Sequence, residues 1–168
     1  MKIRLEEHNQ EWQINFQKEK QRLVKALVDV AMEVEHIGST SIAGLAAKPI
    51  IDILIGLHDF SIADAHIPSI EKLDYRYMKQ YEEVMPFRRF FIQEQHGIRT
   101  HHIHMVLIHG EFWKRHLAFR DYLHLHPVEK LQYETLKKEL SQREWIDEND
   151  YAAAKSAFIR EIERKANG

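Results

Sequence analysis

The run Ile50-Ile51-Asp52-Ile53-Leu54-Ile55 constrains this chain more than any other stretch. Consecutive aliphatic, mostly β-branched residues read as a buried strand, yet an aspartate interrupts it. Asp is poor strand material and costly to bury alone, so this carboxylate needs a cation, a donor network or a chemical task. A short strand, 32–37, leads into the small-residue turn Gly38-Ser39-Thr40-Ser41 upstream of it. Two readings follow. Asp52 is a structural acid satisfied by backbone N–H groups, or it forms one wall of a metal or phosphate site whose other wall is the Gly-Ser turn.

The surrounding pattern indicates the architecture. Trp12, Phe16, Leu23, Leu27 and Val30 recur at helical spacing, which predicts a helix over Asn9–Ala31 with Asn9 as its N-cap. Ser41–Ala46 reads as a short helix. Pro49 cannot donate to a ladder and suits the first position of a strand covering 49–57. A helix over Ser61–Leu73 follows, then strands over Tyr75–Gln80 and Arg88–Glu94. Thr100–Ile108 alternates, with Ile103, Met105 and Leu107 on one face and Thr100, His102 and His104 on the other. From Glu111 the period is helical. It predicts one helix to His126, a second opening at Pro127 and a third from about Asn149, all read as scaffold.

At 168 residues the chain suits one domain: an N-terminal helix (1–31), a sheet core carrying the site (32–110) and C-terminal helices (111–168). A net charge of −2 gives no global basic field, so general nucleic-acid binding is not expected. The absence of cysteine rules out disulfides and thiolate metal sites. With no signal core and no membrane-length apolar run, the expected address is cytoplasmic. Histidine is the compositional oddity. Eight of the twelve fall between His96 and His126, and imidazole is a common metal ligand, although at least half should cap helices or sit on the surface.

The stretch Glu35–Ile55, with Arg88-Arg89-Phe90-Phe91, His102-Ile103-His104 and Phe119-Arg120-Asp121-Tyr122-Leu123, resembles the GrpB family, placed in the nucleotidyltransferase superfamily. The resemblance implies an α/β nucleotidyltransferase-like fold: a small mixed sheet, flanking helices and a C-terminal helical cap. It also implies a nucleotide or other phosphorylated small molecule as ligand, with metal-dependent nucleotidyl or phosphoryl transfer as the chemistry. In the superfamily pattern two carboxylates alternate on the second strand and hold Mg²⁺, helped by a third acid. Here Asp52 matches the first, but Leu54 stands at the second position, and His102 and His104 stand where a third acid would be sought.

One carboxylate with two imidazoles is a weaker cage for Mg²⁺ and a better one for Mn²⁺ or Zn²⁺. Asp52, His102 and His104 are therefore the expected metal ligands, with Asp52 and His104 the catalytic candidates. Gly38, Ser39 and Thr40 are expected at phosphate, because a glycine turn lets backbone N–H groups approach an anion. Lys48, Arg88 and Arg120 are expected to neutralise it, unless the arginines prove to be surface charges or paired to acids. Trp113 and Phe91 are candidates to stack a base, or else core. Two rivals remain. One is a non-catalytic ligand-binding or interaction module that has lost its acids; the other is a His/Asp metal hydrolase.

Overall fold

The five-stranded sheet has the order β1-β2-β5-β4-β3, and its central strand and one neighbour of it carry the unusual residues. These are β2 (Ile51–Leu57) and β5 (Ile98–Leu107). They run parallel to each other, while β1 (Met32–Ile37), β4 (Arg88–Gln95) and the short edge strand β3 (Arg76–Tyr77) pair antiparallel. The computed structural model describes residues 1–167. The expected α/β class with a mixed sheet holds.

The two faces of β2 explain why its sequence is nearly all apolar. Ile51, Ile53, Ile55 and Leu57 join Trp12, Phe16 and Leu23 of α1 (Glu11–Ala26) in the main core. Leu54 on the opposite face meets Ile37, Val106 and Trp113 in a second cluster. A Cβ on Gly56 would stand 2.5 Å from the Trp113 ring, so this glycine leaves the indole room to lie on the sheet. α3 (Glu111–Leu125) packs on that second face, and α4 (Pro127–Ser141) and α6 (Ser156–Asn167), with α5 (Glu148–Ala154) before α6, pack on α3 and bring Tyr133 and Ile162 onto Ile42 and Leu45 after the Gly38 turn. No helix among the described residues is long and apolar enough to cross a membrane.

Several element boundaries differ from the sequence expectation, each for a local reason. The first helix stops at Ala26, although the Asn9 side chain does accept the Glu11 N–H at 2.9 Å. The short helix expected over Ser41–Ala46 is a 3-10 turn at Ser39–Ser41, because Ile42 is extended and Gly44 takes φ +81°. Helix 61–73 breaks into two 3-10 turns and α2 (Ile67–Glu71), since Pro68 lacks the N–H a continuous helix would use. The strand expected over Tyr75–Gln80 shrinks to Arg76–Tyr77 before a 3-10 turn at Lys79–Tyr81. The last helix begins one residue before Asn149 and divides at Lys155.

Candidate functional site

Register brings the site together. Parallel pairing sets Asp52 opposite His102 and Leu54 opposite His104, so one sheet face presents the carboxylate and both imidazoles. Asp52 Oδ1 lies 3.3 Å from His102 Nδ1 and 3.3 Å from His104 Nε2. On the other side β1 ends with Ile37 opposite Asp52, which brings the Gly38 turn directly against the acid. A Cβ at Gly38 would fall 2.6 Å from Asp52 Oδ2, and the backbone there has φ +75° and ψ −179°, a region open almost only to glycine. Gly38→Ala should therefore cost about 1–3 kcal/mol of stability and displace the carboxylate. Chemical denaturation together with metal titration checks this, and an unchanged melt with unchanged affinity refutes it.

Asp52 is a quarter exposed and hydrogen-bonds to no backbone N–H among the described residues. Burial pushes its carboxyl upward, but hydrogen bonds from His102 and His104 outweigh this and hold it well below the usual carboxylate range. Burial lowers the His104 imidazole, opposed by its bond to Asp52. Arg88 Nη1 lies 3.3 Å from His104 Nδ1. A guanidinium can only donate, so Nδ1 is the acceptor and Nε2 carries the proton toward Asp52.

The donor set fits a small metal ion in one respect and resists it in another. One ligand atom from each of Asp52, His102 and His104 lies within 4.8 Å of the others. The 3.3 Å separations are long for hydrogen bonds, yet they match the roughly 3.3–3.4 Å between donors around a tetrahedral ion at about 2.0–2.1 Å. A metal on His104 Nε2 would require the proton on Nδ1, which faces Arg88 where an acceptor is usual. Loading that ligand must turn Arg88 aside.

The cleft around Asp52 has two lobes, of about 310 and 260 Å³, that share Ser39, Asp52 and Lys155. Lys48, Lys137, Tyr151 and His102 line the first. His104, His116, Phe119 and Tyr133 line the second.

Several expected residues take other roles. Thr40 lines the first lobe, but its hydroxyl donates to Ile50 O at 3.0 Å and meets His36 Nε2 at 3.0 Å, so it is committed to the turn. Lys48 reaches the cleft while paired to Glu148 at 2.8 Å. Arg88 lies behind His104, stacked 4.7 Å from the Phe90 ring centroid, and lines neither lobe. Arg120 is also absent from both lobes. It ties α3 to β1 through Glu35 at 2.9 Å and His36 O at 3.0 Å, so its charge is structural. Phe91 is fully buried in the main core and Trp113 is packed on Gly56, so neither can stack a base.

Of the clustered histidines, His116 in α3 and His126 just past its end each meet the carbonyl four residues earlier, and His101, on the opposite sheet face, contacts Thr100. The sequence reading missed Lys137, on a helix taken as scaffold, and Lys155, at the break within another. Tyr133, Lys137 and Leu140 recur at helical spacing and are all buried. A lysine inside an apolar stripe was the available signal.

The GrpB protein family profile matches residues 2–165. The chain is 35% identical to the glutamate-rich protein GrpB of Alkalihalophilus pseudofirmus, over 92% of this chain and 90% of that one. It is 34% identical to a UPF0157 protein of Halalkalibacterium halodurans, over 98% and 83% respectively. The crystal structure of the conserved protein GrpB from Enterococcus faecalis superposes with a TM-score of 0.87 at 37% identity, covering 97% of this chain and 96% of that one.

Proposed function

The chain belongs to the GrpB family, and from that premise we propose that it binds a phosphorylated small molecule, a nucleotide foremost, in the two-lobed cleft around Asp52, together with a divalent metal. The observation that carries this reading is the meeting of Asp52, His102 and His104 beside the Gly38-Ser39 turn. Asp52, His102 and His104 would hold the ion, and the mixed donor set favours Mn²⁺ or Zn²⁺ over Mg²⁺. A bound ion would supply charge neutralisation for phosphate oxygens. The protein's own share is orientation: a rigid carboxylate, a turn that lets the ligand approach backbone, and cations from the helical side.

A nucleotidyltransferase-like arrangement accords with the Gly-Ser turn joining β1 to an acid-bearing β2. Turnover would need a second acid on this face. Leu54, where a second acid would stand, is fully buried in an apolar cluster. Glu35 pairs with Leu54 across the β1–β2 ladder, but Arg120 engages its carboxylate. These observations favour a binding module as the second reading, ahead of a hydrolase.

Thermal melts with nucleoside triphosphates and Mg²⁺, Mn²⁺ or Zn²⁺ test the proposal. A ligand at a hundred times its dissociation constant stabilises by about 2.7 kcal/mol. For a chain of this size that is a rise of roughly 5–10 °C, expected with Mn²⁺ or Zn²⁺. Flat melts across all combinations would overturn the reading.

A further inference from the structure

The first lobe contains more unpaired donors than the fold needs. Lys137 is 2% exposed, yet its ammonium makes one hydrogen bond among the described residues, to Ala46 O at 2.6 Å, with the Tyr133 ring centroid 4.9 Å away. An ammonium has three N–H donors, and leaving them unmade in a buried position is costly. Glu134, the acid one turn earlier, is engaged by the Ala46 N–H at 3.1 Å and by Lys138 at 3.5 Å. Lys155 lies 4.6 Å from the Tyr151 ring centroid and makes no ion pair within 4.0 Å among the described residues. Two further buried polar atoms in this lobe lack partners: the Tyr151 hydroxyl and His102 Nε2. Only Lys48 of the three lysines has a carboxylate, Glu148.

An apolar occupant would leave these donors orphaned, and a cation would meet lysines on several sides. An anion carrying two or more charges would satisfy Lys137 and Lys155 and give the Tyr151 hydroxyl an acceptor. We propose that the cavity walled by Lys48, Lys137 and Lys155 is a polyphosphate subsite, holding the di- or triphosphate chain of the ligand beside Asp52. This deepens the reading of the cleft given above and rests on it. The phosphate cations thus come from the segment before β2 (Lys48) and from the C-terminal helical region (Lys137 and Lys155) rather than from Arg88 and Arg120. Ser39, shared by both lobes, stands where the chain would pass toward the organic part of the ligand in the second lobe.

Calorimetric titration of the metal-free protein with pyrophosphate, in chelator, low salt and at pH 6.5, tests the subsite apart from the metal. Saturable binding is expected. Lys137→Met and Lys155→Met should each weaken it at least tenfold, while Lys18→Met, on an exposed position of α1, leaves it unchanged. Melts of each variant confirm that the fold persists. Absence of pyrophosphate binding, or binding indifferent to both lysine variants, overturns the proposal. Should nucleoside triphosphates with Mn²⁺ still raise the melting temperature in that case, ligand binding in the cleft survives and only the lysine subsite fails. Lysine-dependent pyrophosphate binding with flat metal–nucleotide melts would uphold the subsite and remove the metal reading.

Discussion

Asp52→Asn should abolish the proposed metal-dependent nucleotide binding and lower stability at neutral pH by only about 1–2 kcal/mol. Loss of binding follows because Asp52 is the sole carboxylate in the donor group and Asn is a poor ligand for a divalent ion. The small stability cost follows from the partners. Asp52 accepts from two imidazoles at 3.3 Å, long contacts whose loss is mild, and Asn retains an acceptor oxygen in the same volume. The sign with pH is set by the depressed carboxyl. Its contribution is present above the unfolded carboxylate pKa and is lost as the pH falls through the lower folded value. The gap between wild type and variant should therefore close in acid. Calorimetry with Mn²⁺ and nucleotide reads the first effect, and denaturant melts at pH 7 and below pH 4 read the second. Undiminished binding by Asp52→Asn would end the metal reading; a loss beyond about 4 kcal/mol would mark the acid as a structural anchor.

Lys137→Met should stabilise the protein by a few kcal/mol at pH 7 in the absence of ligand. Burial first, and the neighbouring Lys155 second, push the Lys137 ammonium down to about 7, with Glu134 opposing them weakly. Between that value and the ordinary lysine range the unfolded chain binds the proton that the folded chain sheds. Wild-type stability therefore rises with pH across this window, by at most about 1.4 kcal/mol per unit from this residue. Lys155, lowered to about 8 by burial and then by Lys48, acts in the same direction over the upper part of the window. Methionine carries no charge and fills similar space, so the variant should show a shallower slope and its largest advantage at pH 7 and below. It gives up the bond to Ala46 O, worth about 1 kcal/mol, which limits the gain. Urea melts of both proteins at pH 7, 8 and 9 decide this. A destabilised variant, or a wild type whose stability falls over the interval, would mean that Lys137 is a satisfied structural cation.

Periodicity along the chain made both of these strands, β2 and β5, legible, as well as the histidine face of β5, because side-chain alternation depends on nothing beyond the strand itself. The meeting of Asp52 with His102 and His104 needed one more fact, that β2 and β5 are parallel neighbours, which no local pattern contains. Arg120 and Trp113 illustrate the same limit. Residue type suggested phosphate and base contacts, but function depends on what lies opposite: Glu35 for the arginine and the bare backbone of Gly56 for the indole. Thr40 lies at the expected turn, but its hydroxyl is used by Ile50 and His36, which leaves only its backbone to meet a ligand. Lys137 and Lys155 were passed over because helices with an apolar stripe were read as scaffold, and a lysine in such a stripe can snorkel to water just as readily as enter a cavity.

The three candidate ligands all stand on two paired strands of the sheet, whereas Lys137 stands on α4 and Lys155 at the junction of α5 and α6. The two halves of the cleft should therefore differ in tempo. Donors fixed by a strand ladder have little freedom to lose, so an ion entering there would meet a preformed spacing, and choice among ions would be made by size and ligand type. Only the turn of Arg88 away from His104 stands in the way, a side-chain motion far faster than any rearrangement of strands. The helical wall is divided at Lys155, and its amines hang on side chains outside the strand ladder. On the proposed reading, discrimination among organic ligands, and the rate at which they leave, would belong to that wall.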